Sequence, residues 1–197
     1  SSWTAMQLKA LLIRGDREGS EQLRESLLEA GHDVVGEATI DDDLLKRVEA
    51  TQADLLVIDN DSPGNMLLSR IRELESHTPL PVVLFTGEDD PEVIQQAVCA
   101  GVNAYIVDGH EQHRLATIVD VAVARFRETD RLRRELQDTR ASLAERKTVE
   151  RAKGILMKQR GFDEPQAYNA LRKMAMDKNM RIGQVAENVI AVAELLN

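Results

Sequence analysis

Two stretches of the chain carry residue types that could do chemistry. The first is Val57-Ile-Asp-Asn-Asp-Ser-Pro-Gly64, where a carboxylate follows directly on an apolar run. An aspartate just past a buried strand is placed to act as a nucleophile or as an oxygen ligand for a hard cation. The second is Glu150-Arg-Ala-Lys-Gly-Ile-Leu-Met-Lys-Gln-Arg-Gly161, which is basic and helix-shaped. It lies in a tail, 146–197, that holds ten Lys/Arg against six Asp/Glu, whereas the residues before it hold fifteen against twenty-eight. An acidic body with a small basic tail suggests a polyanion partner for the tail only, since the body's own field suppresses long-range attraction to nucleic acid. A plain solvated helix face shows the same excess, so charge alone leaves both readings open.

Other chemistries find little support. His110 and His113 are three residues apart with no Cys partner, which is poor spacing for zinc, and no metal or cofactor is expected. Ser62 precedes Pro63 and reads as a turn residue; Cys99 falls on the apolar side of a helical pattern and reads as core. The glycines match neither a P-loop nor a dinucleotide fingerprint. No nucleophile, base and orienting group can be assembled, so the chain is not expected to be an enzyme. Aromatic residues at 3% argue against a platform that stacks many bases. No apolar run approaches the roughly 20 residues of a membrane span. The five residues before Met6 carry no signal-peptide pattern and read as a remnant preceding the fold. The single cysteine excludes an internal disulfide and fits a reducing cytoplasm.

The elements that must position these residues form two blocks. In the first, short apolar runs at 8–13, 33–35, 55–58, 82–85 and 104–107 predict strands, and amphipathic stretches at 20–30, 41–50, 65–75 and 90–100 predict helices. Such βα alternation predicts a parallel sheet covered on both faces, with any ligand at the C-terminal strand ends. A long helix follows. Leu115, Ile118, Ala122, Arg125, Thr129, Leu132, Leu136, Thr139 and Leu143 alternate spacings of three and four, and no Gly or Pro interrupts 112–151. That seam predicts a coiled-coil dimer, with packing on the protein's own tail as the alternative. From about Arg146 the pattern predicts three short helices around one small core. Gly161 would end the first; Asp163 and Pro165 would open the second. Tyr168 falls in the second helix's apolar stripe, and Met157, Met174, Met176 and Met180 read as adaptable packing. Lys153, Lys158, Arg172, Lys173, Lys178 and Arg181 are expected outward or at edges.

The first block resembles a response-regulator receiver domain, a flavodoxin-like fold. Asp59 matches the family's phosphoacceptor, Thr86 the hydroxyl that follows phosphoryl charge, and Tyr105 the switching aromatic. The departures are chemical. Receivers carry two acidic Mg²⁺ ligands after the first strand, but Leu12-Ile-Arg-Gly-Asp16 puts Arg14 and Gly15 there, with Asp16 one place late. The lysine that pairs with the phosphoryl group is replaced by Asp108, followed by Gly109. That inverts a charge facing a developing anion, a swing of several kcal/mol at ~4 Å and an effective dielectric of ~20. A pseudo-receiver that reports partner binding is therefore expected. Arg14 is a candidate to salt-bridge Asp59, and phosphorylation of Asp59 is the alternative.

The tail resembles an ANTAR domain, the RNA-binding module of transcription antiterminators. Arg151-Ala-Lys-Gly-Ile-Leu-Met157, Glu164-Pro-Gln-Ala-Tyr168, Leu171-Arg172, Ala175-Met176, Val185-Ala186 and Ile190 follow its pattern. The whole order, most like regulators of the NasT type, implies a pseudo-receiver at 6–112, a helical linker at 113–145 and an ANTAR domain at 146–197. The resemblance implies binding to tandem hairpins in leader mRNA through Arg151, Lys153, Lys158, Arg172, Lys173 and Arg181, with Tyr168 either core or stacked on a loop base. It implies a dimer through Leu132, Leu136 and Leu143, and a nitrate/nitrite-sensing partner of the NasS type. A DNA-binding helix-turn-helix fits less well, since no helix here is rich in Arg, Asn and Gln.

Overall fold

The computed structural model describes residues 6–15, 20–108 and 114–197. Asp16, Gly109, His110, His113 and the residues before Met6 therefore lie outside the described residues. The chain divides into two compact units, Ser1–Asp130 and Arg131–Asn197.

The first unit is built on five parallel strands in the order β2-β1-β3-β4-β5. The strands are β1 (Lys9–Arg14), β2 (Asp33–Thr39), β3 (Leu55–Asp59), β4 (Val82–Thr86) and β5 (Ala104–Val107). Helices α1 (Ser20–Glu29), α2 (Leu44–Thr51), α3 (Asn65–His77) and α4 (Pro91–Ala100) connect them. Every residue of β3 and β4 is buried, as the unbroken runs Leu-Leu-Val-Ile-Asp and Val-Val-Leu-Phe-Thr require of strands covered on both faces. Alternation along β3 sends Leu56 and Ile58 into one core with Leu44, Val48 and Ile71, and Leu55 and Val57 into another with Leu23, Leu27 and Val119. Two exposures differ from expectation. Cys99 is exposed, one position before the buried Ala100 of α4. Leu115, Ile118 and Ala122 do not extend a dimer seam; they pack into the unit's own second core.

Helix α5 runs Leu115–Arg160, 46 residues, without a break near Arg146. The first tail helix is thus the last part of α5 and not a separate element. The sequence there offers no proline or left-handed glycine to stop it. Gly161, at φ +67°, does end it. In the second unit α6 (Glu164–Lys178) and α7 (Ile182–Leu195) pack with α5 around Val149, Ala152, Leu171, Ala175, Val185 and Ala186. The start of α6 is fixed by a reciprocal cap, the Asp163 carboxylate accepting from the Gln166 N–H at 2.8 Å and the Gln166 side chain accepting from the Asp163 N–H at 3.0 Å. Asn179, in the left-handed region at φ 51°, closes it. Among the described residues no helix is long and apolar enough to cross a membrane.

Candidate nucleic-acid interface and the strand-end pocket

The C-terminal ends of the strands bring Arg14, Gly15, Asp59, Thr86 and Asp108 together, as a parallel sheet must. Arg14 stands beside Asp59 in register but sends its guanidinium to Glu37 of β2, Nε at 2.9 Å and Nη2 at 3.1 Å. Arg24 reaches the same carboxylate at 3.0 Å, and Arg47 donates to the Glu37 carbonyl. The expected Arg14–Asp59 pair is therefore replaced by a clasp on Glu37, whose two oxygens match the planar fork of an arginine.

Gly15 lies against the backbone of β3. A Cβ at this position would fall 2.4 Å from the Asp59 carbonyl oxygen and 3.1 Å from the Asn60 Cα. No acidic ligand can be seated there without moving main chain. Asp59 is 6% exposed and Thr86 fully buried. The Thr86 hydroxyl donates to the Asp61 carbonyl at 3.1 Å and accepts from the Glu88 N–H at 3.1 Å. Tyr105 donates to the Glu88 carbonyl at 2.8 Å. Burial holds the Tyr105 phenol above its ordinary range; a hydrogen bond with Thr86 opposes this, and the charges of Glu88, Asp89 and Asp90 reinforce it. At the position of the receiver lysine, Asp108 takes a left-handed backbone, φ 50°. Its carboxylate and that of Asp61 both approach Gly87, 3.7 and 3.3 Å from where a Cβ would stand. A carboxylate thus stands at the position where a phosphoryl group would call for a lysine.

The second unit presents its cations differently. Arg151, Lys158, Arg172, Lys173 and Arg181 are all exposed, and Arg151 pairs with Glu194 at 2.7 Å. Tyr168 is 44% exposed, which corrects its assignment to the core. Ala167 and Leu171 hold the buried face of α6, and Tyr168 turns one residue away from it. Tyr168, Arg172 and Met176 recur every four residues, so they line one outward stripe of α6 with Lys173 beside it. Met174 and Met180 pack on the core as expected, but Met157 and Met176 are exposed.

Lys153 is the principal correction. Expected outward, it is 7% exposed, with Nζ donating to Glu150 and to Glu164, each at 2.9 Å. The Glu164 bond, then the Glu150 bond, raises the Lys153 pKa, and Lys153 in turn lowers that of Glu164. Lys153 thus ties α5 to the first turn of α6. Two further residues went unread in the sequence. Glu145 of α5 accepts from the Gly183 N–H at 3.2 Å, placing an anion at the start of α7. Gly183 permits the approach, because a Cβ there would meet Glu145 Cγ at 2.8 Å. A glycine two places into a helix was the one available signal.

On the remaining seam, Leu132, Leu136 and Leu143 are 52%, 50% and 54% exposed. They form an apolar stripe at heptad spacing on α5.

Comparison with known proteins agrees with this division. Residues 11–120 match the response regulator receiver domain and residues 137–190 the ANTAR domain. The transcriptional regulatory protein PdtaR of Mycobacterium tuberculosis is 33% identical over 168 residues, covering 85% of this chain and 82% of that one. A nitrate regulatory protein of Klebsiella oxytoca is 44% identical over 68 residues, 34% of this chain and 17% of that one. In fold, the receiver domain of a modulated diguanylate cyclase from Desulfovibrio desulfuricans G20 superposes with a TM-score of 0.53 at 19% identity, covering 63% of this chain and 99% of that chain. With a parallel receiver sheet, a long helix and an ANTAR tail in one order, the chain belongs to the ANTAR-domain response regulators.

Proposed function

We propose that this regulator is an RNA-binding transcription antiterminator. Its tail holds paired hairpins in a leader mRNA, excludes the terminator and lets polymerase read through. The observation that carries the proposal is the exposed stripe Tyr168–Arg172–Met176 with Lys173 alongside, on a basic tail attached to an acidic chain. Structured RNA offers unstacked loop bases for the tyrosine ring and closely spaced phosphates for the cations. Arg151, Lys158 and Arg181 widen the cationic surface. Lys153 acts through its ion pairs, holding α5 and α6 so that the surface keeps its shape. Two tails joined through Leu132, Leu136 and Leu143 would meet two hairpins and gain avidity.

Control is by a partner protein that sequesters the regulator, in place of phosphorylation. The closed backbone at Gly15 and the carboxylate of Asp108 support this, because they remove one Mg²⁺ ligand position and the cation for the phosphoryl group. The regulated genes are those of nitrate/nitrite assimilation and the partner is a sensor of the NasS type, a reading supported by the 44% identity over 68 residues to the Klebsiella protein.

The test is a gel shift with the full chain, comparing a two-hairpin RNA with duplex DNA of equal charge at one salt concentration. Equal affinity for both would defeat the proposal. Phosphorylation retains one observation in its favour, the receiver-like placing of Asp59 and Thr86 at adjacent strand ends. Intact mass after treatment with acetyl phosphate decides it: an adduct absent from Asp59→Asn would restore that reading.

A further inference from the structure

Gly154 stands inside α5, about two turns from its C-terminal end, exposed, in ordinary helical conformation, and a Cβ added to it would meet nothing within 4 Å. Glycine is among the least favourable residues in a helix interior, because it loses the most backbone freedom and contributes no side chain. Gly183 is explained by Glu145 packed against it; Gly154 has no such neighbour in the fold. The missing side chain therefore has its use outside the chain.

The surroundings indicate what approaches. One turn on either side of Gly154 lie Arg151 and Glu150, and Met157 and Lys158; a turn further back lies Lys147. Lys147 and Lys158 are exposed, Arg151 is exposed but paired with Glu194 at 2.7 Å, Met157 is 39% exposed, and the charge of Glu150 is answered by Lys153 at 2.9 Å. The face points away from the bundle core, which takes Val149 and Ala152. A second copy meeting this face through its own would set like cations against each other. A polyanion would be attracted by all of them.

We propose that Gly154 is the point where the RNA sugar–phosphate backbone lies directly against α5. The absent Cβ admits the strand to the helix surface, and Lys147 and Lys158 hold its phosphates. The proposal rests on the RNA-binding reading and deepens it: Gly154 selects by close approach, whereas the cations position.

The test separates stability from binding, which an added methyl should move in opposite directions. Full-length Gly154→Ala and Gly154→Leu are compared with wild type by thermal melting and by titration with a two-hairpin RNA enriched from a pool of randomised loops. Gly154→Ala should raise Tm by about 2–5 °C, since it adds helix propensity without a clash. RNA affinity should nevertheless fall, about fivefold for Ala and more than about thirtyfold for Leu, a steric loss of roughly 1–2 kcal/mol by the conversion of 1.4 kcal/mol per tenfold. The slope of log K against log salt should stay as in wild type for both variants, while Lys158→Gln should reduce it by about one. A higher Tm with unchanged affinity for both variants overturns the proposal. So does a shift of the monomer–dimer equilibrium by Gly154→Leu that accounts for the lost affinity, which would give the face to a second copy. Failure of wild type to prefer the RNA over duplex DNA is a different result, and it removes the underlying reading as well.

Discussion

The strand-end pocket of the first unit and the outer face of the tail are both rich in charge, and they use it in opposite ways. In the pocket, side chains answer one another: Glu37 takes Arg14 and Arg24, Thr86 is bonded on both sides, and Tyr105 is fastened to the β4–α4 loop. On the tail, Lys158, Arg172 and Lys173 stand exposed, Arg151 pairs with Glu194 at the surface, and Lys153 is drawn inward to an internal pair. Internal pairing produces shape; unspent positive charge produces affinity for a polyanion. The same residue type therefore has a different meaning in the two regions, and burial decides which.

The largest effect that could break this contrast is on the tail's core. Leu171→Ala should cost about 2–5 kcal/mol, because the side chain is fully buried in a core of few residues. Hydrogen exchange should show protection lost in α6 and α7 and retained in β3 and β4. Next is the face itself. Arg172→Glu with Lys173→Glu should reduce affinity for two-hairpin RNA by about a hundredfold and flatten the salt slope by about two, with circular dichroism unchanged. If binding survives, the tail's charge is only solvation.

Lys153→Gln should lower the melting temperature of the tail by a few degrees and alter its pH dependence. The raised Lys153 pKa contributes stability that is present below 10.5 and lost as pH rises through the folded value. The lowered Glu164 pKa contributes stability present above 4.5 and lost as pH falls through its folded value. Wild type should therefore lose stability at both ends of that range, and the variant should show a shallower profile; identical profiles would mean the pairs are decorative. The smallest effect is expected at Asp59, where Asp59→Asn should change RNA affinity less than about twofold, within the ±0.5 kcal/mol typical of neutral substitutions. A larger change would mean that the pocket and the tail communicate through this carboxylate.

Much of the fold was legible because apolar runs and turn residues are local signals. All five strands and the helices between them fall within a few residues of their expected places, and β2 extends four residues past its apolar start as far as Thr39. The tail's core was legible for the same reason. What local pattern could not supply was which neighbour a side chain would find. Lys153 looks like any cation on an amphipathic edge until Glu164 arrives from the next helix. Tyr168 and Cys99 each sit one residue from a buried stripe, and a rotation of 100° separates core from surface. The heptad run from Leu115 to Leu143 was read as one seam, yet its first part serves the receiver core, because periodicity does not say what lies opposite.

Gly15 constrains substitution in a way its neighbours do not. Exchanging Arg14 or Asp108 for another residue changes a side chain and can be reversed by a single codon. Position 15 is different, because the main chain of β3 occupies the space any side chain would need. No single substitution there can add a side-chain ligand; the backbone must open first. The loop therefore works as a latch made of main chain, which no exchange of side chains at position 15 can open.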